Sequence, residues 1–484
     1  MEIQNNTDDY VEELSVVGKQ FPLFGLLCVI YALVYTVCMY KNLGGITSTI
    51  LVIGTEGFTY FILKKLGYEF KKKHSVYGII IALLAINLFW TMDWFLLFVD
   101  YVAIIMVFIA GVYSVIYDTR AWDFGDSVKA IIGHFFGALS NLFDFGFDWA
   151  KYNKEKDKKA GVVSYIVVGI VITIPLMVVV LVLLGGADAV FGHMLETMFD
   201  DFDFSDVFAI AFVFAGALLG SYSWISHFIN KPIAVYGQDK RTKEPVILIV
   251  VGISLGLVYI IFCGVQIVYL FAGLGDLPAG YTYAKYAREG FGQLLVVCLI
   301  NAVIVLIGIR SFKENVILKV VLTVISACTY FMIFSSAYKM FMYVEKYQMS
   351  VLRIWVLWTL VWLAFILTGA VISIYNSKFS LFMYSMVVTS ALYIAFAYAR
   401  PAYVVASYNL SGIYQQDKVD YSYIRRELNP DAASVVLDYY NTIDEKNKAE
   451  LIDYFSTIGE RENNKNTIRN FNVSRYNYYK IVLR

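Results

Sequence analysis

Glu56 lies in the middle of one apolar run and Asp100 in the first turns of another. A carboxylate at the centre of a membrane-crossing helix costs at least about 2.5 kcal/mol, so such a residue marks an ion path, a proton relay or a buried partner. Asn87 and Asn301 occupy further apolar runs, as do His227 and Gln266. A line of these groups along one cavity would carry an ion or a proton. Taken singly, each would tie neighbouring helices together by hydrogen bonds.

Two loop constellations add to these intramembrane candidates. Residues 185–206 hold Asp188, Glu196, Asp200, Asp201, Asp203 and Asp206 without a Lys or Arg. Hard cations take several carboxylate oxygens, but the spacing lacks the ligand order and the glycine of a calcium loop. No metal site is expected there. The segment Tyr283–Phe291 places Arg288 among Tyr281, Tyr283 and Tyr286. A guanidinium is a bidentate donor for carboxylate or phosphate. Arg288, Glu289, Asp188 and Arg353 form a candidate outer-face ligand site. GxSxG, Walker A, CxxC and HExxH patterns are absent, so neither a catalytic residue nor a cofactor is expected.

These groups must be positioned by a membrane bundle. The 484 residues are 59% hydrophobic and 16% charged, with mean hydropathy +0.63. Soluble domains are nearer 45–50% apolar and about 25% charged. Zero net charge argues against a nucleic-acid partner. The five cysteines all lie in apolar segments and read as small buried hydrophobes. A crossing helix needs about 20 apolar residues. Spans are expected at 21–40, 46–63, 76–92, 95–117, 162–184, 207–229, 246–272, 291–310, 316–338, 354–375 and 379–399. Asp93, in the short turn between the third and fourth, leaves a re-entrant hairpin open. The fold class is all-α, a polytopic transmembrane helix bundle of about eleven spans.

Lys and Arg concentrate in alternate loops: after span two (Lys64, Lys65, Lys71, Lys72, Lys73), after span four, after span six and after span eight. Short basic loops stay cytoplasmic. This places residues 1–20, an acidic tail without the basic start of a signal peptide, on the cytoplasmic side of the membrane. Spans one to four occupy 21–117 and spans five to eleven 162–399. The polar tail 400–484 then lies outside. Between the two sets of spans, 118–161 is a cytoplasmic loop. In it Val128, Ile131, Ile132, Phe135, Phe136, Leu139, Leu142, Phe143 and Phe147 recur at helical spacing. An interfacial helix with anionic lipid along 128–159, or a helix docked on the bundle, fits the pattern. In the tail, Asn429-Pro430-Asp431 reads as a helix start, and a second helix is expected over 445–458 with Leu451, Ile452 and Phe455 on one face.

Several strings resemble a known family: Ile174-Pro175-Leu176 leading to Ala187–Phe191, Gln266 with Tyr269-Leu270-Phe271, Tyr283–Phe291, Met342-Tyr343 with Leu352-Arg353, and Asn409 with Asp420-Tyr421 and Pro430-Asp431-Ala432. They look like the uncharacterised multi-pass bacterial membrane proteins grouped as domain of unknown function 4173, related to 4153. The resemblance covers roughly residues 75–440. This chain has Gln348-Met349-Ser350 where family members often read Gly-Leu-Thr. The resemblance implies a polytopic membrane protein and no activity. Three functions remain open: a non-enzymatic sensory, scaffold or envelope-associated protein with a protein partner on 401–484; a transporter or channel for a small solute or ion; and, behind both, a membrane enzyme acting on lipid or envelope precursors.

Overall fold

The computed structural model describes residues 15–119, 122–156, 169, 173, 177, 180, 181, 183–199, 204–230, 241–268, 283–414, 418–461 and 468–482. Among them the helices run in order as α1 (Val16–Lys19), α2 (Phe21–Met39), α3 (Ile46–Lys65), α4 (Ser75–Asn87), α5 (Trp94–Ile116), α6 (Phe124–Ser140) and α7 (Asp144–Lys156). Then come α8 (Ala189–Phe199), α9 (Phe204–Asn230), α10 (Pro245–Gln266), α11 (Tyr283–Ser311), α12 (Val316–Tyr347), α13 (Val351–Tyr375) and α14 (Leu381–Tyr398). The tail contributes α15 (Pro401–Asn409), α16 (Tyr421–Glu427), α17 (Ala433–Tyr440), α18 (Glu445–Arg461) and α19 (Val473–Val482).

Nine of the described helices are long and apolar enough to cross a membrane, and α6 with α7, bent by 56° at their break, makes a tenth candidate. Two expected spans stand outside the nine. Residues 162–184 lie almost wholly outside the described residues. The third span forms only α4, whose 13 residues reach about 20 Å, short of a hydrocarbon core of about 30 Å. Nine to ten candidates among the described residues are roughly consistent with about eleven spans, and the chain is an integral membrane protein.

Start signals explain where the helices begin. Asp93 accepts from Phe95 N (2.9 Å) and Leu96 N (3.1 Å) at the head of α5, and Asn315 does the same for α12. Pro245 and Pro401 occupy the first helical position of α10 and α15, where a missing N–H costs nothing. Small residues set the helix spacing. A Cβ on Gly308 of α11 would stand 2.9 Å from Leu322 of α12, the close approach expected where lipid supplies no hydrophobic drive.

The chain divides into two compact units, residues 1–43 with 128–234 and residues 44–127 with 235–484. In the larger unit, loops gather at the two ends of the helices. At one end Arg310 pairs with Asp123 (2.9 Å) and Asp126 (3.0 Å). There too Lys243 N donates to Ser311 O and Lys313 N to Lys243 O, both at 3.0 Å. At the other end of the same helices the tail meets residues 44–47, 88–93 and 347–351.

In the smaller unit the amphipathic segment docks by its polar side. Ile132, Phe135, Phe136 (64% exposed), Leu139, Phe143 and Phe147 point outward, while His134, Asn141 and Asp148 are buried. The inward polar groups are matched. His134 stacks on Phe228 at 3.7 Å. Asp144 accepts from Asn141 (2.6 Å) and Ser226 (2.7 Å). Asp148 accepts from Tyr222 (2.8 Å) and Ser15 (3.1 Å).

Candidate functional site

A cleft of about 700 Å³ opens where the tail meets the bundle. Its walls come from the Asp93–Phe95 turn, the 347–355 turn and the tail residues Asn409, Asp420, Tyr423 and Glu427. The 347–351 turn is held by side chains reaching across some 60 to 70 residues. Asn409 accepts from Met349 N and donates to Met349 O, both at 2.9 Å. Val351 N donates to the Tyr423 hydroxyl (2.8 Å), and burial pushes that phenol above its ordinary value. Asp420 N donates to Gln348 Oε1 (3.3 Å), while Gln348 Nε2 donates to Lys418 O.

Gln348 has φ 65° and ψ 170°, a region that only glycine occupies without strain. Its side-chain bonds into the tail hold that geometry. Arg353, in the first turn of α13, donates from Nη1 to Tyr347 O (2.7 Å) and to Gln348 O, and its guanidinium lies 4.3 Å from the Tyr343 ring centroid. It thereby caps the carbonyls that α12 leaves open. The cleft thus joins one cation, the carboxylates of Asp93, Asp420 and Glu427, and the aromatic surfaces of Trp94, Phe95 and Trp355.

A second set of contacts clamps the tail to the bundle. Asp431 is 2% exposed and accepts from the Thr91 hydroxyl and from Met92 N (3.1 Å). Burial pushes its carboxyl up, against the pull of the Ser474 hydroxyl, of these two donors and of nearby Arg400. Asn429 caps the turn by accepting from Asp431 N (3.0 Å) and donates to Asp93 Oδ2 (2.9 Å). Asn472, also buried, donates to Thr91 O (2.8 Å) and Gly44 O (3.2 Å). Val473 N donates to Phe89 O (2.8 Å), and Ile46 N to Phe471 O (3.0 Å).

The intramembrane candidates separate by their partners. Asn301 is fully matched: it accepts from the Tyr259 hydroxyl (2.8 Å) and donates to Thr329 Oγ1 (2.9 Å), tying α10 and α12 to α11. Asn87 of α4 donates to Asp100 Oδ2 of α5 (2.7 Å), and both are buried. Glu56 has neither a hydrogen bond nor an ion pair among the described residues. It lines a groove of about 340 Å³ between α3, α4 and α5.

The expected outer-face set is not assembled by what is described. Arg288 and Glu289 lie on α11, but their side chains are outside the described residues. Asp188 is exposed and accepts from Phe191 N (2.7 Å) as the cap of α8. Asp206 of the acidic loop pairs with Lys41 at 2.6 Å. The anchors Thr91 and Asn472 carry no sequence signal of their own, whereas Asn429-Pro430-Asp431 reads in sequence only as a helix start. Lys339 was also missed. It is 3% exposed on α12, one residue past the expected end of its span.

Most of the resemblance strings of the second half, Tyr343, Arg353, Asn409, Asp420 and Asp431 among them, meet at this tail-capped end. No curated protein and no solved structure matches the chain. The family described as Domain of unknown function (DUF4153) matches residues 78–439, a stretch that runs from α4 through the clamp to α17. The chain belongs to that family.

Proposed function

We propose that the protein is a non-enzymatic sensory or scaffold protein of the bacterial plasma membrane, with the tail-capped cleft as its receptor face. The carrying observation is that bundle turns and tail build the cleft jointly, through anchors buried as completely as a core. A cleft of about 700 Å³ falls in the range of ligand pockets. Mixed charge and aromatic walls suit a polar peptide segment of an envelope partner. The lysine-rich loops support a cytoplasmic N-terminus and an outward tail. The outward stripe of α6 and α7, followed by Lys151 and Lys154, supports contact with anionic lipid at the inner leaflet.

A photoreactive residue at Leu352, which is 72% exposed on the cleft, tests the reading. A discrete crosslinked protein is expected in cells, and none from the same residue at lipid-facing Leu26. Equal patterns at both positions would remove the receptor reading. Labelling of a single cysteine at Ser456 from outside intact cells is expected, and its absence would put the tail inside.

A second reading, a transporter or channel for a small ion, is favoured by one observation. Glu56, without a hydrogen bond or ion pair among the described residues, lines a groove between three apolar helices.

A further inference from the structure

We propose that Glu56 is a proton-binding carboxyl at the inner end of a groove that admits water from the Lys71–His74 end of the bundle. The proposal is independent of the tail cleft. It deepens the transport reading by naming the ion, and it holds as a binding site whether or not a solute moves.

Three elements build the groove. α3 carries Glu56 eleven residues into its twenty, with Tyr60 one turn on. α4 supplies Gly78 beneath the carboxylate, where a Cβ would stand 3.6 Å from Glu56 Oε1. α5 closes the far wall with Phe108 and Gly111, and a Cβ on Gly111 would stand 3.1 Å from Tyr77. The volume of about 340 Å³ leaves room for water.

The mouth is chemically distinct from the walls. His74 lies four residues before Gly78, hence on the same helix face. Its Nδ1 accepts from Lys71 N at 3.3 Å. A neutral ring then carries its hydrogen on Nε2, which is buried without a partner and belongs to a residue lining the groove. Burial, then Lys73 and Lys71, hold this imidazole below its ordinary value, so the ring is a neutral donor at pH 7. The residue stands at the polar entrance of the groove, beside Lys71.

Charge selects the occupant. The titratable groups facing the groove are Glu56 and Tyr60 from α3, Lys71 and His74 from the turn, and Tyr77 from α4; α5 contributes none. Among the described residues no cation stands beside Glu56, and a proton or a cationic ligand would neutralise an isolated charge at this depth. A lysine at the mouth repels metal and organic cations, while a proton passes along water. The step is a simple transfer: a hydronium ion entering at the mouth breaks one O–H bond, a Glu56 carboxylate oxygen receives the proton, and water is left behind.

The test uses the full chain in proteoliposomes with dicyclohexylcarbodiimide, which reacts with protonated carboxyls in apolar surroundings. Peptide mass mapping is expected to show an adduct on Glu56 at pH 6, at least tenfold less at pH 9, and none on that peptide in Glu56→Gln. Absence of the adduct at every pH, or equal yield at pH 6 and pH 9, would overturn proton binding. A second measurement tests the water path in a cysteine-free background. A charged, water-soluble thiosulfonate is expected to modify Thr59→Cys, which lines the groove, and to leave lipid-facing Leu26→Cys untouched. If Thr59→Cys resists that reagent yet reacts with a lipophilic maleimide, the groove holds lipid and the water path is wrong. Failure of the crosslinking at Leu352 leaves both results unaffected.

Discussion

Removing the Asp431 carboxylate opens the tail without unfolding the bundle. In Asp431→Ala, the Met92 amide and the Thr91 hydroxyl both lose their acceptor inside a buried junction. An orphaned buried donor costs about 1–3 kcal/mol. The Thr91 oxygen also accepts from Asp93 N (3.0 Å), so the hydroxyl stays in place and finds a new acceptor only by rotation. Taking about 1.5 kcal/mol for each donor gives about 3 kcal/mol, roughly a hundredfold in the opening equilibrium. Asp431→Asn retains one acceptor oxygen and should lose about half of that, near tenfold. Hydrogen exchange reads the result directly, because junction amides exchange through local opening. Amides of 430–440 and 473–480 should exchange about a hundredfold faster in Asp431→Ala, with those of α12 and α13 unchanged. Rates within threefold of wild type in a folded Asp431→Ala protein would refute the clamp. Acceleration spread evenly over the bundle would show that the carboxylate serves the whole fold rather than the junction.

The strained turn gives a comparison of two substitutions at one position. Gln348→Gly and Gln348→Ala both lose the side-chain bonds to Lys418 and Asp420, but only glycine relieves a strain of about 1–3 kcal/mol. The glycine variant should therefore be the more stable of the two by that amount in thermal unfolding, and equal stability would deny the strain. Asn301→Ala should cost about 1 kcal/mol, the scale of hydrogen bonds between membrane helices, without changing the Glu56 carbodiimide adduct. A change in the adduct would put Asn301 on the ion path. At His74 the imidazole's folded value is depressed, so its contribution to stability is full above its ordinary value of 6.5 and is lost as pH falls. Below about pH 6.5, protonation removes the acceptor for Lys71 N and adds charge beside Lys71 and Lys73. Exchange of the 71–77 amides should then rise in wild type but not in His74→Phe.

The sequence carries the span pattern because apolar length and lysine placement are local quantities, summed along the chain. It does not carry the partners. Asn301 and Glu56 look alike as polar residues in apolar runs, yet Tyr259 and Thr329 absorb the first and nothing described absorbs the second. Only the packing of other helices makes that distinction. The stripe on α6 and α7 is legible as an axis but not as a direction. The side that docks is decided by Tyr222, Ser226 and Phe228, whose side chains suit the polar face. The tail helix over 445–458 is present as α18, but its buried centre is Leu451 and Tyr454, with Ile452 exposed. There the tyrosine hydroxyl reaches Asn429 O (2.9 Å), a contact that a hydrophobic count does not weigh.

The uncertain third span and the unforeseen clamp have one cause. α4 ends at Asn87, about 10 Å short of a full crossing, and the chain must reach Trp94 through non-helical backbone. Irregular backbone near membrane depth survives only where protein satisfies its polar groups. The tail does so residue by residue. Val473 N meets Phe89 O, Asn472 meets Thr91 O, Asp431 meets Met92 N, and Asn429 meets the Asp93 carboxylate that caps α5. These four contacts join residues some 340 to 380 positions apart. The tail is therefore part of the membrane fold, and a cleft built on its inner edge inherits the rigidity of a completed span.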